Sequence, residues 1–78
     1  MTSKTFKHGT LEIVVTDEHI HYKPVFIMHC FKLGIDTKLL SERNPIKAQI
    51  EALAVVKGKI LELLSDFEAI EYEFNHKD

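Results

Sequence analysis

Apolar and polar positions along this chain follow first a period of two and then a period near three and a half. From Leu11 to Thr16 a β-branched run puts Leu11, Ile13 and Val15 on one side, the alternation of a half-buried strand. After Asp17-Glu18 the alternation resumes over His19–Lys23, with Ile20 and Tyr22 on one side. Two such runs about a short polar break predict a β-hairpin turning at Asp17-Glu18. That break lacks the glycine of an ideal two-residue turn, so a bulge or a longer loop is expected there.

Pro24 through Leu33 is apolar on both sides: Val25, Ile27, Phe31 and Leu33 alternate with Phe26, Met28 and Cys30. A strand that is apolar on both faces belongs in the middle of a sheet or at an interface. The competing reading is a helix with Pro24 in its first turn and Gly34 as its stop. No Ser, Thr, Asp or Asn stands just before Pro24 to cap it, and length and aromatic content favour the strand. Asp36 is placed to cap a short helical turn through Leu39, Leu40 and Ser41. Gly9 suggests a turn, and residues 1–4 and 75–78 read as loose ends of a single domain spanning 1–78.

Asn44-Pro45 is a helix start, a capping side chain followed by proline at the first helical position. Beyond it Ile46, Gln49, Leu53, Val56, Ile60, Leu63, Phe67, Ile70 and Phe74 follow one another at steps of three and four. Ile50, Leu61 and Leu64 widen the stripe, and Gly58 falls opposite it. Nothing between Gly58 and Asn75 obliges the helix to stop, which favours one helix through Phe74. Against that, Glu68, Glu71 and Glu73 would lie at the negative end of the helix dipole, and Ile70, Tyr72 and Phe74 also alternate like an edge strand. The predicted fold class is α+β: a small antiparallel sheet, a β-hairpin plus a third strand, packed on one long C-terminal amphipathic helix.

The length of that helix changes the picture. To Phe74 it measures about 45 Å at 1.5 Å per residue, whereas a compact globule of 78 residues is roughly 30 Å across. The helix should overhang its own domain, and symmetric self-association is the commonest way to cover an overhang. The candidate oligomer interface is therefore Ile46, Leu53, Val56, Ile60, Leu63, Phe67, Ile70 and Phe74. So short a chain has a marginal core, and its single cysteine, Cys30, excludes an internal disulfide, so association, a metal or an unusually good core is the remaining support.

Charge and chemistry narrow the function by exclusion. Residues 1–44 carry a net +1 and residues 45–74 a net −3; without a basic cluster, no nucleic-acid partner is expected. No apolar run approaches the ~20 residues that span a bilayer, and no signal-peptide pattern is seen, so no membrane partner and a cytoplasmic location are expected. His19 and His21 are two apart and would share a strand face, the way two imidazoles reach one metal, but no ordered four-ligand spacing accompanies them; no metal and no cofactor are expected. His29 sits inside the apolar run and is expected to be buried. Cys30 beside His29 would point to the opposite face of a strand, so the pair forms no nucleophile and base, and no catalytic residue is assigned. Three function classes follow. The first is a non-enzymatic interaction or regulatory module, homo-oligomeric through its helix and acting on another protein. The second is a small-ligand binder with a pocket at a subunit interface, using His19, His21, Tyr22, Lys23 and Arg43 as contacts. The third is a histidine-based metal-binding protein.

Overall fold

In the computed structural model, which describes residues 2–77, the chain forms β1 (Ser3–His8), β2 (Leu11–Ile20), β3 (Lys23–Cys30), a 3-10 turn (Phe31–Leu33), β4 (Ile35–Leu39) and α1 (Pro45–Asn75). The fold is α+β. Its sheet has four strands in the order β1-β2-β3-β4, each antiparallel to the next, rather than a hairpin plus a third strand.

The first strand begins inside residues 1–4, read from the sequence as a loose end, of which Met1 lies outside the described residues; the turn expected at Gly9 follows it, with Gly9 at φ 62°. Among Ser3–His8, Phe6 is the one half-buried residue, so no apolar period marks the segment. It is a strand because it completes a ladder: Ser3 pairs with Thr16 and Phe6 with Ile13. Lys4 and Lys7 on an outer strand also discourage edge-to-edge association.

The second strand runs straight through Asp17-Glu18. Asp17 faces Phe26 and Glu18 faces Val25 in register, and the Asp17 carboxylate accepts the Thr2 backbone N–H. The reversal comes instead at His21 and Tyr22, whose φ angles are 52° and 65°. Two successive left-handed residues closing the Ile20–Lys23 pair are the two-residue hairpin pattern whose twist suits the flanking strands. Asn and Gly usually supply it; a Tyr there is uncommon, and this is why the turn was placed four residues early.

The third strand is a strand, as expected, but it ends at Cys30. The chain then makes a 3-10 turn closed by Gly34 at φ 76°, whose N–H donates to the Phe31 carbonyl at 3.0 Å. The left-handed glycine sends residues 35–39 back along β3, with a register shift between Met28 and Cys30. The helical turn predicted from Asp36 is thus replaced by β4. A row of unpaired β3 backbone groups gains partners this way, which one isolated helical turn could not offer.

The Asn44 side chain accepts from the Ile46 and Lys47 N–H groups at 3.0 and 3.1 Å, and α1 then continues without a break to Asn75. The edge-strand reading of residues 70–74 is overturned: an uninterrupted helix keeps every backbone group bonded where no strand lies beside it. On one face of the sheet Ile13, Val15, Met28 and Cys30, with Leu40, pack against Ala48, Ala52 and Val56 of α1. Both alanines are fully buried, and their small side chains at one-turn spacing let the helix lie close on the strands.

Glu51 ties the linker to α1. Its carboxylate accepts the Ser41 and Glu42 backbone N–H groups at 2.9–3.0 Å and the Ser41 hydroxyl at 3.0 Å. The hydrogen bonds from Ser41 and then Glu42 hold its pKa below the ordinary value of 4.5. A carboxylate with a depressed folded pKa contributes stability that is present above its unfolded value and lost as pH falls through the folded one. Glu51→Gln is therefore expected to melt lower than wild type at pH 7 and to lose less than wild type on acidification below pH 4.5. Melting curves that stay parallel through that range would contradict this role.

Candidate interaction surface on the distal helix

Along α1 the burial changes abruptly. Ala48, Ala52 and Val56 are buried, Gln49, Glu51, Val55 and Lys59 are half-buried, and from Ile60 to Lys77 every residue is exposed. The sheet covers about the first half of the helix and ends there. The consequence is an elongated molecule, 60 × 25 × 18 Å with a radius of gyration of 16.1 Å, against about 12 Å for a compact chain of this length.

The uncovered half is not a solvated face by composition. Ile60, Leu63, Leu64, Phe67, Ile70 and Phe74 are between 42% and 79% exposed. Isolated helices of this length are marginal in water, and monomers rarely display so large a contiguous apolar patch without a use for it. The interface residues expected from sequence divide accordingly. Ile60, Leu63, Phe67, Ile70 and Phe74 lie together on the overhang, and Ile46 and Leu53 are exposed on the proximal half. Val56 is 3% exposed inside the core, so it belongs to the chain's own fold and is unavailable to a second chain.

Tyr72 is also exposed and stacks on His76 with ring centroids 4.0 Å apart, while His76 Nδ1 lies 2.8 Å from the Tyr72 carbonyl oxygen. This pair closes the helix end. No basic residue stands in the last turn, so Glu68, Glu71 and Glu73 lie toward the negative end of the helix dipole without a cation in that turn. At the other end of the overhang Lys59 Nζ lies 3.7 Å from Glu62, an exposed pair of little energetic weight.

The candidate ligand contacts do not form a pocket. His19 ends β2, His21 and Tyr22 make the turn, and Lys23 begins β3; all are exposed, Tyr22 completely. Arg43 stands apart in the loop before α1. Because His21 sits in the turn rather than on the strand, it does not share a strand face with His19. Among the described residues no three His, Cys, Asp or Glu side chains gather around a point. The hollow lined by Leu64, Phe67, Glu68, Glu71, Tyr72 and His76 is walled by one helix alone, a groove between side chains rather than an enclosed cavity.

His29 is half-buried, not enclosed as expected. It lies on the sheet face away from α1, paired with Val14, and stacks on Phe31 at 4.5 Å. Ile27 and Leu39 pair on that same face, so the sheet presents a second, smaller apolar area that sequence reasoning did not single out. The signal was the double-sided apolar pattern of Val25–Cys30. Cys30, on the helix side, is fully buried, where a thiol acts as a small apolar residue.

The class these features define is an antiparallel α+β domain with an overhanging helix. No family model, no curated protein and no solved structure matches the chain. No helix among the described residues is long and apolar enough to cross a membrane.

Proposed function

We propose that the protein is a small non-enzymatic interaction module that self-associates through its long helix and acts, in a regulatory capacity, by binding another protein. The observation that carries this reading is the uncovered apolar stripe from Ile60 to Phe74. Folding has not buried it, and the helix beneath it lacks the tertiary support that helices of this length need in water. The smaller apolar area around Ile27 and Leu39 leaves the sheet free to meet a second protein once the helices are paired.

Light scattering or sedimentation at micromolar concentration is expected to give at least twice the chain mass of 9.0 kDa. A clean monomer throughout a wide dilution series, with the helix intact, would remove the basis of the proposal.

A further inference from the structure

The overhanging stripe has a spacing that specifies its partner. Ile46, Leu53, Ile60, Phe67 and Phe74 are seven residues apart, and so are Gln49, Val56, Leu63 and Ile70, each three residues after a member of the first row. A seven-residue repeat with two apolar positions is the seam of a left-handed coiled coil, whose complement is another helix with the same repeat. The proximal part of the seam is spent in part on the sheet through Val56. The distal part, Ile60, Leu63, Phe67, Ile70 and Phe74, is exposed.

Charges beside the seam fix the direction. Lys57 and Lys59 flank it at the sheet end, one on each side; Asp66, Glu71 and Glu73 flank it toward the C-terminus. We infer that the occupant is the same helix of a second copy, lying antiparallel, with the two-fold axis passing at the level of residue 65. This rests on the self-association proposed above and gives it a geometry. Ile60 then packs against Ile70 of the second copy and Leu63 against Phe67, and symmetry repeats both layers. Lys57 meets Glu71 of the second copy and Lys59 meets Glu73, each twice. Lysines are brought in this way to the acidic last turns of the helix, which hold no basic residue of their own, at the negative pole of the dipole.

The same register sets Asp66 against Asp66 of the second copy at the axis, one like-charge contact against four lysine–glutamate pairs, and other arrangements of two copies fare worse on the same residues. A parallel pair sets Asp66 beside Glu71 twice and brings no lysine to a carboxylate. An antiparallel pair slipped by one repeat toward the C-terminus sets Asp66 against Glu73 and leaves Ile60 uncovered. The opposite slip pairs Lys59 with Asp66 but brings no lysine to Glu71 or Glu73, and it sets Phe67 against Val56, which the chain's own core already encloses. The area is adequate: six seam and flank side chains that each expose on the order of 100 Å² give roughly 600 Å² per chain, near the ~800 Å² per partner of stable complexes.

The sheet accommodates the overlap. Gln49 of α1 lines a cleft with Ser3 and Lys4 of β1, whereas Val55 and Lys59 line one with Leu33 and Ile35, so the flank carrying the seam faces the β1 side. There Phe6, Leu11 and Ile13 border an open cleft of about 270 Å³. The antiparallel register brings Phe74 of the second copy level with Val56, beside that cleft. Lys7 and His8 line it as well, facing the acidic end of the incoming helix.

The test is oxidative cross-linking of single-cysteine additions, with the buried Cys30 of wild type as the uncross-linked control. Leu64 flanks the seam at the axis, so Leu64→Cys is expected to form a disulfide-linked dimer; in a parallel pair position 64 faces away from its copy. Ile70→Cys is expected not to cross-link here, and would do so in a parallel pair, where like positions meet. A dimer that cross-links through Ile70→Cys but not Leu64→Cys overturns the orientation and leaves self-association standing. A dimer that cross-links through neither overturns the register. A monomer overturns both readings. Charge exchange checks the result without oxidation: Lys57→Glu with Lys59→Glu should weaken the dimer at least about tenfold, and adding Glu71→Lys with Glu73→Lys should restore it. Failure of the fourfold exchange to restore a folded protein's dimer contradicts the pairing.

Discussion

Phe67→Asp is expected to yield a chain of monomeric mass, 9.0 kDa, with an intact sheet and a frayed distal helix. Phe67 lies near the middle of the uncovered stripe, 51% exposed and one full helical turn or more beyond the last residue the sheet covers. Within one chain the substitution removes no buried contact of the core, so the sheet and the first half of α1 should keep their melting transition. Across a symmetric pair it places two carboxylates in the seam. A central aromatic anchor contributes about 2 kcal/mol or more to an interface, so two of them amount to about a thousandfold in Kd. Released from its partner, the segment from Ile60 onward loses the packing that supports most protein helices, and it should fray from its free end. Circular dichroism should therefore show lower helicity for Phe67→Asp, and wild type should approach the same value on dilution. Unchanged mass and unchanged helicity in the variant would show that this stripe is not what joins the chains.

Met28→Ala is expected to cost about 2–5 kcal/mol, the range for truncating a fully buried Met. Met28 is 1% exposed on β3; its neighbours in the ladder are Val15 and Lys38, and the face it shares with Cys30 is roofed by α1. Among the described residues the buried core numbers eight, so a cavity at its centre has few neighbours able to close it. A loss of that size exceeds about 8 °C in Tm for a domain this small and is a large part of the total stability of any such fold. Met28→Leu conserves volume and should cost less than about 1.5 kcal/mol. Urea or thermal unfolding of the two variants measures the difference; equal and small losses would place the structural centre of the protein elsewhere.

The elements that were legible in the sequence share a physical trait: their local pattern and their tertiary environment agree. Asn44-Pro45 caps α1 wherever the helix packs, and the three-and-four spacing from Ile46 to Phe74 persists because nothing inside the helix competes with it. The alternation at Leu11–Val15 survives for the same reason. The elements that were misread are those whose structure is set by a neighbour. Ser3–His8 has almost no apolar signal and is a strand because β2 offers it a ladder. Ile35–Leu39 looks capable of a helical turn and is a strand because the left-handed Gly34 returns it to the open edge of β3. Asp17-Glu18 is polar enough for a turn, yet the reversal falls on His21-Tyr22, where register closes the hairpin at Ile20 and Lys23.

The candidate surface divides in the same way. By itself the sequence determined that the chain has one long amphipathic helix, that the helix outruns a domain of this size, and that its apolar residues lie on one stripe. Those are consequences of helical periodicity and rise per residue, which need no partner. Which part of the stripe stays uncovered was decided only by tertiary structure, because Ile60 and Val56 are equivalent in the pattern and differ in what lies opposite them. The sheet reaches Val56 and encloses it with Ala48 and Ala52. It ends before Ile60, and from there to Phe74 the same periodicity faces water.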